Sequence, residues 1–194
     1  VIHAMALHWA NDPVGQLIQC HRALKSDGLF LCVCLGGQTL NELRSVLAQA
    51  ETTLRGGLSP RVAPMGEVRD FGGLLQRAGF ALPVADTTAV QVAYQCILHL
   101  MLDLRRMCDT IALAMRSKQP LHRDLLQEAE RIYKDHFSTQ DDRIMATFEL
   151  IFLSGWAPDD SQQKPLRPGS AKQRLADALG TPELPLDDPA DSSK

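Results

Sequence analysis

Three clusters in this 194-residue chain hold the side chains best suited to chemistry. The first is His3-Ala4-Met5 followed by His8-Trp9. Imidazole titrates near neutrality, so His8 is the candidate general base or substrate-positioning group. Trp9 offers a flat apolar face with one N–H, and its ring equally suits packing against the next helix. The second cluster is Ser59-Pro60-Arg61, inside the turn-rich stretch 56–64. Binding residues concentrate on loops, and a guanidinium can grip a carboxylate through two parallel hydrogen bonds. The third is Asp103, Arg105 and Arg106, with Arg116, His122 and Arg123 further on. It could lie over a substrate as a lid, although a solvated charged face is the plainer reading. Five cysteines (Cys20, Cys32, Cys34, Cys96 and Cys108) include no Cys-x-x-Cys pair. They read as small buried thiols in a reducing compartment, with no metal centre.

The elements that must position these groups follow from the pattern. Residues 1–5 read as the end of a buried strand. Asn11-Asp12-Pro13 opens a helix: Asp12 can accept from orphan amides and Pro13 suits the first helical position. Val14, Leu17, Ile18, His21 and Leu24 form its inner stripe. Gly28 is expected to stop that helix at positive φ. Residues 29–35 (LFLCVCL) are continuously apolar, as in a parallel strand covered on both faces, with Cys32 and Cys34 pointing the same way. Thr39 and Glu42 have capping-box spacing, which predicts a helix over 40–53 with Leu40, Leu43, Val46, Leu47 and Ala50 inward. A helix over 67–78 stops at Gly79. Residues 82–85 and 90–94 form one strand or a bent pair. A long helical segment spans 95–116, with Ile97, Leu98, Met101, Leu104, Met107 and Cys108 on one side and Met115 also in the core. Another helix spans 121–137, and a strand 146–156. The sum is an α/β protein. After residue 157 the composition turns polar and proline-rich, with a short helical stretch near 171–179 and a tail expected to be largely disordered.

Hydrophobic residues make up 45% and charged residues 22%, which suits one soluble core. The net charge of −3 lacks the basic surplus that phosphate neutralisation needs, which sets nucleic-acid binding aside. No apolar run is long enough to span a bilayer. The most apolar, residues 96–104, contains Asp103 and runs into Arg105. No signal peptide is visible, but the chain opens in mid-domain without an initiator methionine, so an upstream targeting segment is left open.

Leu-Lys-Ser-Asp-Gly-Leu-Phe (24–30) before the apolar strand, and Leu-Leu-Gln-Arg-Ala-Gly-Phe (74–80) before the next, resemble the rear half of a class I S-adenosylmethionine-dependent methyltransferase. Ser26-Asp27 stands where that family has Pro-Gly. A more specific resemblance rests on five motifs in order: Ala6-Leu7-His8-Trp9; Asn11-Asp12; Gly36-Gly37-x-Thr39-Leu40-x-Glu42-Leu43-Arg44; Gly57-x-Ser59-Pro60-Arg61-Val62-x-Pro64; and Ser154-Gly155-Trp156 with Arg167-Pro168-Gly169-Ser170-Ala171. These are similar to the subfamily that contains the mitochondrial complex I assembly factor five, an arginine-hydroxylase branch of the methyltransferase fold, and its proteobacterial relatives. That subfamily is in turn similar to the malonyl-carrier-protein O-methyltransferases.

The resemblance implies a Rossmann-like sheet with strands in the order 4-5-7-6 and flanking helices. A partial methyltransferase domain would span 1–157, with a helical insertion at about 95–137 before the last strand, followed by the tail 158–194. It implies S-adenosylmethionine as cofactor, with His3, Ala4 and Met5 on the cofactor wall, His8 as the catalytic residue, and Trp9, Ser59 and Arg61 toward substrate. It places the family's Gly-rich turn and ribose-binding acid upstream of Val1, so the chain alone is expected to bind the cofactor negligibly and to be inactive. The substrate would be a protein or an acyl-carrier-linked acid. The alternative is a respiratory complex I assembly role, as an arginine hydroxylase of a complex I subunit or as a non-catalytic binding module. The implied location is the cytoplasm of a bacterium or the mitochondrial matrix of a eukaryote.

Overall fold

The computed structural model describes residues 1–117, 120–164, 169–170 and 172–181. The chain divides into two units, residues 1–160 and 161–194. In the first unit, strand β1 (Ile2–Ala4) leads through a single 3-10 turn (Leu7–Trp9) into helix α1 (Pro13–Arg22), then strand β2 (Leu29–Leu35) and helix α2 (Asn41–Arg55). Helix α3 (Val68–Arg77), strand β3 (Ala81–Tyr94), helices α4 (Ile97–Arg106) and α5 (Arg123–Phe137), and strand β4 (Ile144–Trp156) complete it. The second unit contains one short helix, α6 (Leu175–Leu179), closed by Gly180 at φ 62°.

The four strands form one sheet in the order β1-β2-β4-β3. β1 runs parallel to β2, with Ile2 opposite Leu31 and Ala4 opposite Val33. β4 then inserts between β2 and β3 and runs antiparallel to both. This is the predicted order: the last strand returns to the sheet interior and leaves the β1–α1–β2 crossover as its parallel unit.

Two apolar clusters hold the unit together. One packs Leu17 of α1 and Phe71 and Leu75 of α3 onto Phe30, Cys32, Cys34, Ile151 and Leu153 of the sheet. The other packs Leu43, Val46 and Leu47 of α2 against Leu100 of α4, Leu125 and Tyr133 of α5 and Ile144 of β4. Asp12 caps α1 by accepting from the Gly15 N–H at 2.8 Å, as its position before Pro13 predicts.

Several expectations are corrected. β2 is not covered on both faces: Phe30, Cys32 and Cys34 are buried while Leu29 and Leu31 are exposed. Register places Ile2, Leu31, Ser154 and Val84 in one row across the four strands. Ile2 is 80% exposed and Val84 58%, so an apolar sheet face lies open. Ile2 and Ala4 of β1, a segment read as the end of a buried strand, are accordingly exposed among the described residues. The left-handed residue before β2 is Asp27 (φ 57°), not Gly28. Gly28 is needed for space instead, since a Cβ there would come within 2.8 Å of the Lys25 carbonyl.

Thr39 and Glu42 do not form a capping box. Leu40 occupies the cap position at φ 55° with no side-chain cap. The Thr39 hydroxyl and the Glu42 carboxylate bond to β4 instead, at Glu149 and Thr147 respectively. Tertiary partners took groups that the local spacing had assigned to the helix end.

The long helix predicted over 95–116 stops at Arg106, because Cys108 turns left-handed at φ 64°. The inner side of α4 is Ile97, Leu100 and Leu104, while Leu98, Met107 and Met115 are exposed and not core. The start of α4 is fastened by Glu130 of α5, which accepts from the Ile97 N–H at 2.8 Å. Arg167, Pro168, Ala171 and residues 182–194 lie outside the described residues.

Candidate functional site

The carboxyl ends of β1 and β2, the only parallel pair among the described strands, lie side by side. In α/β sheets ligands bind at the carboxyl ends of parallel strands, where the chain departs in loops. β1 ends as Met5 adopts φ 51°, which turns the chain away from the sheet and leaves Ala4 and Met5 exposed. β2 ends at Gly36-Gly37. A Cβ on Gly36 would lie 2.5 Å from the Glu149 carboxylate, which accepts from the Gln38 N–H at 2.9 Å. The turn after β2 is thereby folded tightly against β4.

His8 sits between these two strand ends, with its side chain only 1% exposed. The Leu35 N–H donates to His8 Nδ1 at 3.4 Å. An amide can only donate, so Nδ1 is the lone-pair nitrogen and Nε2 carries the hydrogen. Nε2 in turn lies 3.5 Å from the Asp109 carboxylate, which also accepts from the Trp9 indole N–H at 3.1 Å. Burial lowers the His8 pKa below its ordinary value, and the Asp109 charge offsets only part of that shift. His8 is therefore a neutral imidazole with both nitrogens engaged. Asp109 comes from the loop where α4 breaks off, so the failed helix prediction and the unforeseen site residue have one cause. Met107 and Asp109 would lie two apart along a helix. The left-handed Cys108 swings Asp109 toward residues 8 and 9 instead.

Ser59 and Arg61 are also brought together, by a residue the sequence reading passed over. Glu51 on α2 accepts from the Ser59 N–H at 2.9 Å, from the Ser59 hydroxyl at 2.7 Å and from Arg61 Nη2 at 2.8 Å. Burial pushes the Glu51 carboxyl up, but the bonds from Arg61 and Ser59 outweigh it and hold the pKa at about 2. Glu51 lay at the end of a helix stripe read only for its apolar members. Its one legible signal was an acid facing inward beside Ala50 and Leu47.

A small cavity of about 60 Å³ joins the two clusters, with Trp9, Leu35, Arg61, Leu104 and Asp109 in its wall. A second, of about 220 Å³, lies beyond His8, against Met65, Asp70 and Phe71. His3 stands apart from both: its Nδ1 is 3.9 Å from Cys32 Sγ, on the sheet. The Cys32 thiol is pushed up by its contact with Cys34 and by burial, so it is no nucleophile. The exposed ion pair Arg106–Asp103, at 3.3 Å, lies within α4 itself, as a solvated face would. Among the described residues no group of His, Cys, Asp and Glu could hold a metal ion, and no helix is long and apolar enough to cross a membrane.

Sheet order and parallel crossover define an α/β protein with a four-stranded open sheet and flanking helices. The comparisons narrow this. Over 177 residues the chain is 41% identical to the mitochondrial arginine-hydroxylase NDUFAF5 of Danio rerio, covering 91% of this chain and 55% of that protein. It is 32% identical over 166 residues to the malonyl-[acyl-carrier protein] O-methyltransferase of Laribacter hongkongensis, covering 86% of this chain and 53% of that protein. Among solved structures, YcgJ from Bacillus superposes with a TM-score of 0.46 at 14% identity, over 81% of this chain and 64% of that one. No family model matches the chain. The chain is thus similar to part of the NDUFAF5 arginine-hydroxylases and, at lower identity, to part of the malonyl-carrier-protein methyltransferases. It spans about half the length of these curated relatives.

Proposed function

We propose that the chain forms the substrate side of an S-adenosylmethionine-dependent methyltransferase acting on a protein or a carrier-linked acid. The observation that carries this reading is the convergence of His8, Trp9, Asp109 and Arg61 at the carboxyl ends of the parallel strands. Ala4 and Met5 fit the cofactor as an open, uncharged edge at the end of β1, held in place by the Met5 N–H donating to the Val33 carbonyl at 2.8 Å and suited to the flat face of a nucleoside. His3 would contribute there through its backbone, since its ring is turned to Cys32. When bound, the cofactor supplies an electrophilic methyl group.

The remaining work falls to this chain. Methyl transfer from a sulfonium depends chiefly on alignment of the nucleophile and exclusion of water. Trp9, Leu35 and Leu104 supply apolar walls for that, and Arg61, whose Nε has no partner, supplies a donor toward a substrate carboxylate, while Ser59 is spent on Glu51 and holds the loop. His8 positions the loop through two hydrogen bonds. It accepts a proton at Nδ1 only once the long bond from Leu35 opens.

A second reading, protein arginine hydroxylation or a binding role in respiratory complex I assembly, is favoured by the higher identity to the NDUFAF5 proteins than to the carrier-protein methyltransferases. One experiment separates the two. The full-length protein is incubated, under air and with an added two-electron reductant, with S-adenosylmethionine bearing a labelled methyl group and with either malonyl-carrier protein or an arginine-containing complex I subunit. Label appearing in a carrier-linked ester supports methyl transfer. Gain of one oxygen on the arginine, without label, supports hydroxylation. Neither product, with the subunit retained in a stable complex, supports the binding role.

A further inference from the structure

Among the described residues three buried side-chain polar atoms lack a hydrogen-bond partner: His21 Nε2, Arg44 Nε and Arg61 Nε. Two of the three belong to arginines that line one cavity. It measures about 300 Å³, lies between α2 and the loop 58–62, and also carries Ser59 and Pro60 in its wall.

The charges around it do not balance. Glu51 is the carboxylate that serves this corner, and it is fully committed: it stays ionised to about pH 2 and is held by Ser59 and Arg61. Arg44 pairs with no carboxylate among the described residues. Its Nη1 donates to the Gly37 carbonyl at 3.4 Å, and its Nη2 to the Thr39 and Ala63 carbonyls at 3.2 and 3.4 Å. These bonds are long, the acceptors neutral, and the guanidinium only partly exposed. A partly desolvated cation without a counter-charge costs free energy that an anion at the same place recovers. Two guanidinium groups with unused Nε donors match a group with two or three anionic oxygens in a fixed plane or tetrahedron.

We propose that the cavity between α2 and the loop 58–62 is an anion subsite, in which Arg44 and Arg61 together hold a carboxylate or phosphate group of the substrate. Arg44 thereby becomes a binding residue that also ties the Gly37–Thr39 turn to the substrate loop. The inference rests on reading that loop as the substrate side. Its test needs no methyl donor, so failure of one reading leaves the other standing.

The test is calorimetric titration of the full-length protein with sodium malonate and, separately, with inorganic phosphate, against sodium chloride of equal ionic strength. Saturable binding of malonate or phosphate is expected, and none of chloride. Preference for malonate points to a substrate carboxylate; preference for phosphate points to a phosphorylated carrier arm. Arg44→Gln is expected to weaken the preferred anion about tenfold or more, the scale of a charge-assisted bond. Arg44→Lys keeps the charge but loses the fork, so it weakens anion binding while retaining a cation beside the Gly37–Thr39 turn. This keeps the test informative where the glutamine variant does not fold. Arg131→Gln, on the exposed face of α5, is the control and leaves affinity unaltered. Absence of saturable binding, or Arg44 variants that bind malonate and phosphate as tightly as the parent, overturns the proposal.

Discussion

The two polar clusters beside the site are built differently. Glu51, Ser59 and Arg61 form a dense knot: several bonds between 2.7 and 2.9 Å converge on one carboxylate, from partners eight and ten positions along the chain. His8, Trp9 and Asp109 form a loose one: one carboxylate oxygen shared at 3.5 and 3.1 Å, bridging about 100 residues. The first fastens a loop to the helix that precedes it. The second joins a loop at the first strand to a broken helix end far along the chain. A short-range knot can be tight because little chain must be ordered to close it. A long-range one that, on the proposed reading, also admits substrate gains from being weak. Asp109 is thus suited to let go, and Glu51 is not.

This contrast can be broken by substitution, starting where the effect is largest. Glu51→Ala leaves the Arg61 charge buried without its partner, and is expected to cost about 3 kcal/mol of stability in denaturant unfolding. A loss below about 1 kcal/mol would erase the distinction between the knots. Asp109→Ala strands two N–H groups and is expected to cost about 1.5 kcal/mol. It should also speed amide hydrogen exchange in residues 107–117 and leave α2 and β4 unchanged. Trp9→Phe removes one of those N–H donors and keeps the ring, so about 1 kcal/mol is expected, measured in the same way.

The pH dependence has two parts, and they separate the clusters. The folded pKa of His8 lies below the unfolded value of 6.5, so its contribution is complete above pH 6.5 and declines as pH falls below it, where the unfolded chain takes up the proton first. His8→Gln should flatten that limb. The folded pKa of Glu51 lies near 2 against 4.5 unfolded, so its contribution holds down to about pH 4.5 and is lost between there and about pH 2. Unfolding curves across these two windows would show one step from each cluster. A single step in both variants would merge them.

Much of the frame was legible from neighbouring residues. Asp12 before Pro13 announced the cap that forms, and the i, i+3, i+4 stripe of α2 is buried as its spacing required. Alternation placed Cys32 and Cys34 on one buried face. The errors share a pattern. Thr39 and Glu42 met a local template yet serve β4, and the apolar residues 107–115 continued a helical stripe yet belong to an open loop. In each case a partner distant in sequence offered a better bond than the local one. The apolar run of β2 looked doubly covered because composition records hydrophobicity, whereas cover depends on which elements come to lie above each face.

The sequence by itself therefore determined most of the elements and marked His8, Trp9, Ser59 and Arg61 as the groups to watch, while the order of the strands came with the family resemblance. Elements and groups follow from periodicity, caps and motif order, which are properties of residues near one another in the chain. The partners of those groups, namely Asp109 for His8 and Trp9, Glu51 for Ser59 and Arg61, and the solitary guanidinium of Arg44 beside them, were decided only by the tertiary structure. A carboxylate chooses among the donors that folding brings within about 3 Å, and no spacing rule links positions 8 and 109.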